Sequence, residues 1–213
     1  MSRYLGPTTK LSRREGVNLR LKPIRDETGK NPLEREYKNY PPGMHPFRRG
    51  KSSDYAVRLR EKQKVKRHYG VLERQFRRYF EMAGHSAMNT GEALLQILER
   101  RLDNVVYKAR FAAGRRGARQ GVVHGHFLVN GRKVDRPGYL VSAGDVITVR
   151  KREKSEKYVR AQAALLEGVS NPPPQAWLQV DANKLEATVL TLPSRDDVLI
   201  PVEEQLIVEF CSR

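Results

Sequence analysis

Apolar side chains recur along this chain at helical spacing in its first half and at strand spacing in its second. Leu72, Phe76, Tyr79, Phe80 and Ala83 fall four, three, one and three residues apart, which draws a buried stripe down one helix. Before them, Ser53-Asp54 supplies a helix start, and Tyr55 to Tyr69 runs without Gly or Pro until Gly70. That segment predicts a first long helix. After them, Asn89 and Glu92 have capping-box spacing ahead of Leu94, Leu95, Leu98 and Leu102, a third helix with an apolar face. Three consecutive helices predict a small helical domain over 51–100.

Past residue 110 the period changes. Gly114 to Val123 reads as a short helix, with Arg115, Arg116 and Arg119 on one turn. Phe127-Leu128-Val129 and Arg132-Lys133-Val134 flank Asn130-Gly131, a dipeptide that accepts the positive φ of a tight hairpin turn. Gly144-Asp145 then turns the chain into Val146–Val149. Glu153 to Glu167 reads as another helix, ended by Gly168 and three prolines from 172 to 174. Trp177–Val180, Leu185–Leu192, Val198–Val202 and Leu206–Phe210 read as strands. The expected class is therefore α+β: a helical part, then an α/β part with strands towards the C-terminus. Residues 1–50 show no sustained periodicity and are broken repeatedly by Gly and Pro. They predict a largely irregular arm with one short helix near Leu11–Gly16.

Charge changes the picture from fold to partner. The chain of 213 residues has 41 Lys+Arg against 24 Asp+Glu, a formal charge of +17, which points to a polyanion. Residues 1–80 hold 22 basic and 8 acidic side chains, 81–160 hold 16 and 8, and 161–213 hold 3 and 8. A binding surface belongs to the first three quarters. The hydrophobic fraction of 38% leaves little core per residue, so part of the arm is expected to order on its partner. No run approaches the roughly 20 apolar residues of a membrane span, and no signal-peptide core is present, which reads as a cytoplasmic protein. The single cysteine, Cys211, excludes a disulfide framework and lies in an apolar stretch, where a buried thiol is expected.

Enzyme chemistry is not written here. There is no glycine-rich phosphate loop and no metal-spaced His/Cys set. His124 and His126 flank Gly125 without a nearby carboxylate or cysteine to complete a metal site, so RNA hydrogen bonding or packing is the better reading. Clustered guanidiniums, a helix N-terminus and a hairpin tip instead suit phosphate oxygens and the shallow groove of folded RNA.

Ala118-Arg119-Gln120, His124-Gly125-His126, Val129-Asn130-Gly131-Arg132, Pro137-Gly138-Tyr139 and Gly144-Asp145 resemble the S-four RNA-binding motif. The flanking text narrows the resemblance. Met1 to Pro7, Leu11 to Gly16, Ser53-Asp54-Tyr55, Leu59 to Lys64, Glu73 to Arg77, Arg101 to Tyr107 and Glu204-Gln205-Leu206 are similar, end to end, to the bacterial small-subunit ribosomal protein family that gave the motif its name. The resemblance implies binding to the 5′ domain of 16S rRNA, nucleation of subunit assembly, a part in decoding accuracy, and contact with a neighbour, the fifth small-subunit protein. It places a basic loop, here Arg48, Arg49 and Lys51, where mRNA enters.

Combined with the charge pattern, it makes Arg3, Tyr4, Lys10, Arg13 and Arg14 candidate rRNA contacts in the arm. Arg58, Lys62, Lys66, Arg67, Arg74 and Arg77 are candidates on the helices. Arg115, Arg116, Arg119, His124, His126, Asn130, Arg132 and Lys133 complete the set. The domains expected are an arm over 1–50, a helical domain over 51–100, a motif-bearing domain over 101–200 with its core at 114–150, and a segment over 201–213 that packs back on the body. Neither membrane attachment nor self-assembly into a homo-oligomer is expected.

The chain departs from the family pattern in two ways. Zinc-binding members carry four cysteines in the arm, and none precedes Cys211 here, so no cofactor and no zinc is expected. Gly114, Gly117, Gly121 and Gly138 occupy positions where larger or capping residues are usual. A helix-interior Gly costs up to about 1 kcal/mol relative to Ala, which predicts a motif helix that is loose until RNA stiffens it. Two alternative readings are an RNA-modifying enzyme using the motif as a clamp and a nonspecific basic nucleic-acid protein. About 60 residues after Arg152 are too few for a usual catalytic domain.

Overall fold

The computed structural model describes residues 4–31, 33, 40–44, 51–166 and 175–212. Its helices are α1 (Thr8–Glu15), α2 (Pro23–Glu27), α3 (Asp54–His68), α4 (Glu73–Gly84), α5 (Thr90–Glu99), α6 (Leu102–Lys108) and α7 (Arg115–Val123). Strands β1 (Phe127–Val129), β2 (Arg132–Lys133) and β3 (Val146–Val149) follow, then α8 (Glu153–Ala164), β4 (Leu178–Asp181), β5 (Glu186–Val189) and α9 (Glu204–Cys211). The class is α+β. Two compact units emerge, residues 1–94 with 199–213, and residues 95–198.

In the first unit, helix ends follow local chemistry. The Ser53 hydroxyl accepts a hydrogen bond from the Ala56 amide and starts α3, while Gly70, at φ +64°, turns the chain away after it. The core is built from Leu19, Val65, Tyr69, Phe76, Tyr79, Ala83, Ile200 and Ile207. Leu19 ties the arm to α3, because its carbonyl accepts from Nδ1 of the buried His68 at 3.0 Å. The arm is also less irregular than its sequence predicts: α2 is an unpredicted turn of helix started by Pro23, and Thr8 and Ser12 of α1 are buried. Leu72, which fits the apolar stripe by spacing, is exposed because it precedes α4 as its N-cap.

Two of the predicted strands are not strands. Val198–Val202 has no regular structure, and Leu206–Phe210 is helical within α9. The β-branched pair Ile207-Val208 argued for a strand, but tertiary partners decide. Ile207 is buried, Phe210 packs on Tyr55 with ring centroids 5.3 Å apart, and Glu209 bonds Arg58 at 2.7 Å. Cys211 therefore ends a helix, half-buried, with its thiol raised by burial. The third predicted helix likewise stops at Glu99, and Leu102 opens α6 instead.

In the second unit, five strands form one antiparallel sheet in the order β2-β1-β3-β5-β4. Alternation is plain: Phe127 and Val129, Ile147 and Val149, and Ala187 and Val189 point to one buried face. Leu102, Val105 and Val106 of α6, Ala118 and Val122 of α7, Val159 and Trp177 share the same core. Asn130 at φ +49° and Gly131 at φ +76° make the hairpin turn that their identities predict. No helix among the described residues is long and apolar enough to cross a membrane.

Candidate nucleic-acid interface

The six cations of α3, Arg58, Arg60, Lys62, Lys64, Lys66 and Arg67, are drawn into ion pairs within the unit. Arg58 pairs with Glu209, Arg60 and Arg67 with Glu15, Lys62 and Lys66 with Glu73, and Lys64 with Glu61. Lys62 is buried and its ammonium also lies 5.0 Å from the Phe210 ring centroid. Of the candidate contacts on this helix, Arg58, Lys62, Lys66 and Arg67 thus already have carboxylate partners within the unit. The Glu15 side chain is without solvent contact, and burial raises its carboxyl against the pull of Arg67 and Arg60.

Burial acts on Glu73 in the same direction, but Nζ of Lys62 and Lys66 outweighs it and holds the carboxyl at about 2, against an ordinary 4.5. As pH falls, the unfolded chain takes up this proton first. The stabilisation from Glu73 is whole above about pH 4.5 and is lost as the pH drops towards 2. Glu73→Gln is expected to flatten the acid limb of the first unit's stability curve, read by circular dichroism melts between pH 2 and 6; an unchanged acid limb would show that Glu73 does not carry it.

The remaining candidates in this unit are exposed or turned to local partners. Tyr4, Lys10, Arg14, Lys51 and Arg74 are exposed. Arg77 is exposed beside Glu73, at 3.4 Å. Arg13 donates through Nε to the Tyr40 carbonyl at 3.0 Å and covers the Tyr40 ring. Arg3, Arg48 and Arg49 lie outside the described residues.

In the second unit α6 organises the motif helix. Nε of Arg115 donates to Asn104 Oδ1 at 2.8 Å and its guanidinium lies 4.7 Å from the Tyr107 ring centroid. Arg119 approaches Asp103 at 3.8 Å, and Asp103 also receives the buried Arg101. Arg115 and Arg119 are therefore half-buried and aimed by α6, whereas Arg116, on the same turn, is exposed. Beneath them Glu99 accepts from Asn104 at 2.6 Å and pairs with Lys108 at 3.1 Å, both side chains almost without solvent contact. Burial lowers the Lys108 ammonium, which Glu99 opposes.

The hairpin presents Arg132 and Lys133 at the exposed surface. Asn130 sits at the tip, but its amide works inside the protein: Nδ2 donates to Asp145 at 2.8 Å and Oδ1 accepts from the Val146 amide at 2.9 Å. It staples the hairpin turn to the Gly144 turn. His124 is exposed, while His126 stacks on Tyr158 at 4.8 Å and shares a 3.0 Å hydrogen bond with Ser155. Burial, then His124, lowers the His126 imidazole. Sequence reasoning passed over the exposed cations at the start of α8, among them Lys154 and Lys157; the charge-dense run 150–160 was the available signal. Among the described residues no group of three or more His, Cys, Asp or Glu side chains is placed to hold a metal.

A helical unit, and a sheet unit whose basic helix leads into a basic hairpin, define the class of S4-domain ribosomal proteins. Residues 3–99 match the ribosomal protein S4/S9 N-terminal domain and 100–147 match the S4 domain. The chain is 53% identical to small ribosomal subunit protein uS4A of Symbiobacterium thermophilum over the full length of both. It is 51% identical to uS4 of Halothermothrix orenii and 53% identical to uS4 of Acidothermus cellulolyticus, again over both full lengths. The chain belongs to the uS4 family of small-subunit ribosomal proteins, which are structural and not enzymes.

Proposed function

We propose that the chain binds 16S rRNA directly, nucleates assembly of its 5′ domain and supports decoding accuracy within the cytoplasmic small subunit, without a metal or other cofactor. The observation that carries this reading is the exposed basic face made by Arg116, Arg132 and Lys133, with His124 on the same helix, on a helix and hairpin tied to α6 and to the Asn130 staple. Preorganised cations of this kind take phosphate oxygens at little ordering cost. Exposed Lys10, Arg14, Arg74 and Arg77 give the first unit its own share of phosphate contacts. Lys51, with Arg48 and Arg49, is assigned to mRNA where it enters the subunit. The fifth small-subunit protein is the proposed protein neighbour, and exposed Val180, Leu190 and Leu192 in the acidic last quarter suit a protein better than RNA.

Replacing Arg116, Arg132 and Lys133 together with Gln is expected to weaken binding to a 5′-domain transcript and to lower the slope of log K against log salt by about 2–3, at 0.7–0.9 per lost phosphate contact. An unchanged slope removes these residues from the interface. If excess duplex DNA displaced the transcript from the unmodified protein as readily as unlabelled transcript did, the chain would be a nonspecific nucleic-acid binder instead.

A further inference from the structure

The motif helix does not stand alone on its solvent side. Gln162 of α8 accepts from the Ala113 amide at 3.1 Å, the Tyr158 hydroxyl donates to the Gly117 carbonyl at 2.8 Å, and Ser155 meets His126. Residue numbers fall on α8 as they rise along α7, so the two helices run antiparallel. Gly117 and Gly121 line the seam. A Cβ on Gly121 would lie 2.9 Å from the Phe127 ring and 3.0 Å from the Tyr158 ring, so a side chain there would push the helices apart.

The seam fixes what faces water. On α7, residues 117 and 121 face α8 while 118 and 122 face the core; on the other side of the seam come 116, 120 and 124. On α8, residues 155, 158 and 162 face α7 and 159 faces the core, which leaves 154, 157 and 161 on its outer side. For an antiparallel pair lying on one core, these two rows are on the same side. Arg116, Gln120 and His124 on one helix are thus flanked by Lys154 and Lys157 on the other, all exposed. Lys133 of β2 closes the end of the surface, with its Cε 2.5 Å from where a Gly125 Cβ would be.

We infer that α8 is the second half of a two-helix platform for structured RNA, with Lys154 and Lys157 contacting backbone phosphates beside those held by Arg116 and Lys133. This surface reaches beyond the S4 domain, which ends at residue 147. It rests on the rRNA-binding reading above and extends it to a helix outside the motif. Two rows of cations across a helix seam bridged by Tyr158 and Gln162 can follow a phosphate backbone along their length, where a single helix offers one row. A protein neighbour is less suited, since the row is lysine, strongly hydrated and without apolar company.

The test uses the full chain and a 5′-domain 16S rRNA transcript across a KCl series. Lys154→Gln with Lys157→Gln is expected to lower the slope of log K against log salt by roughly 1.4–1.8, two contacts' worth. Arg160→Gln with Lys184→Gln removes the same charge from exposed positions of the same unit that lie off the platform and is expected to leave the slope unchanged. If the first pair leaves the slope unchanged, α8 is not part of the interface, although the protein still binds rRNA. An equal drop from the control pair would make the effect one of net charge and overturn the platform. An unmodified protein with no preference for the transcript over duplex DNA would overturn the underlying reading as well.

Discussion

Glu99→Ala is expected to cost the unit of residues 95–198 about 3–5 kcal/mol, the usual penalty for stranding one member of a buried ion pair. Glu99 and Lys108 are both almost fully buried, and the carboxylate also takes the Asn104 amide. Removal leaves the Lys108 ammonium with two neutral partners, the Gln175 side chain at 2.7 Å and the Asp197 carbonyl at 2.8 Å. Burial already lowers that ammonium, and without Glu99 it falls further. The folded variant then releases its proton before the unfolded chain does, so its stability rises with pH through that range and the penalty shrinks in alkali. Trp177, the single tryptophan, lies in this unit's core, and its fluorescence during urea unfolding reads the effect. A second substitution, Lys108→Met, should return part of the loss; no loss in Glu99→Ala would show that the pair is not a structural element.

The second large effect separates two glycines four residues apart. Gly121→Ala gains up to about 1 kcal/mol of helix propensity but drives a methyl group into two packed rings, and overpacking of this kind costs about 1–3 kcal/mol. Net destabilisation is expected, with His126 shifted from its stack on Tyr158. Gly117→Ala meets the flexible end of Gln162 at 3.2 Å, the Tyr158 hydroxyl at 3.6 Å and the Ala112 Cβ at 3.8 Å, so it is expected to be neutral or mildly stabilising. Urea unfolding of the two variants, again followed by Trp177, decides; Gly121→Ala as stable as Gly117→Ala would mean that the seam gives way easily. The same contacts supply a reason for glycine in α7 that propensity alone does not: Gly121 is buried at a helix seam.

Local signals were sufficient for most of the elements. Ser53 and Gly70 bound α3, Asn130-Gly131 make the hairpin, and alternation marks β1, β3 and β5, because each of these choices is settled within a few residues. What could not be read locally was settled by distant partners. Ile207-Val208 has the chemistry of a strand, and only the packing of Phe210 and Glu209 on α3 makes it helical. The same distance explains the charge reading of α3: counting cations could not show that Glu15, Glu73 and Glu209, from three other helices, would meet them. In the motif, the identities of Arg115, Arg116 and Arg119 were legible, but not that α6 aims two of them. Nor is it legible locally that Tyr158, some 40 residues on, bonds the Gly117 carbonyl across the helix glycines.

The first unit is completed by a helix that is translated after the whole of the second. Until α9 is made, Arg58 lacks Glu209 and Lys62 lacks the Phe210 ring. Chains made vectorially usually complete their domains from the N-terminus onward; here the N-terminal unit needs the last helix of the chain. During synthesis α3 passes through a stage at which it is more positively charged towards its surroundings than it will be when finished.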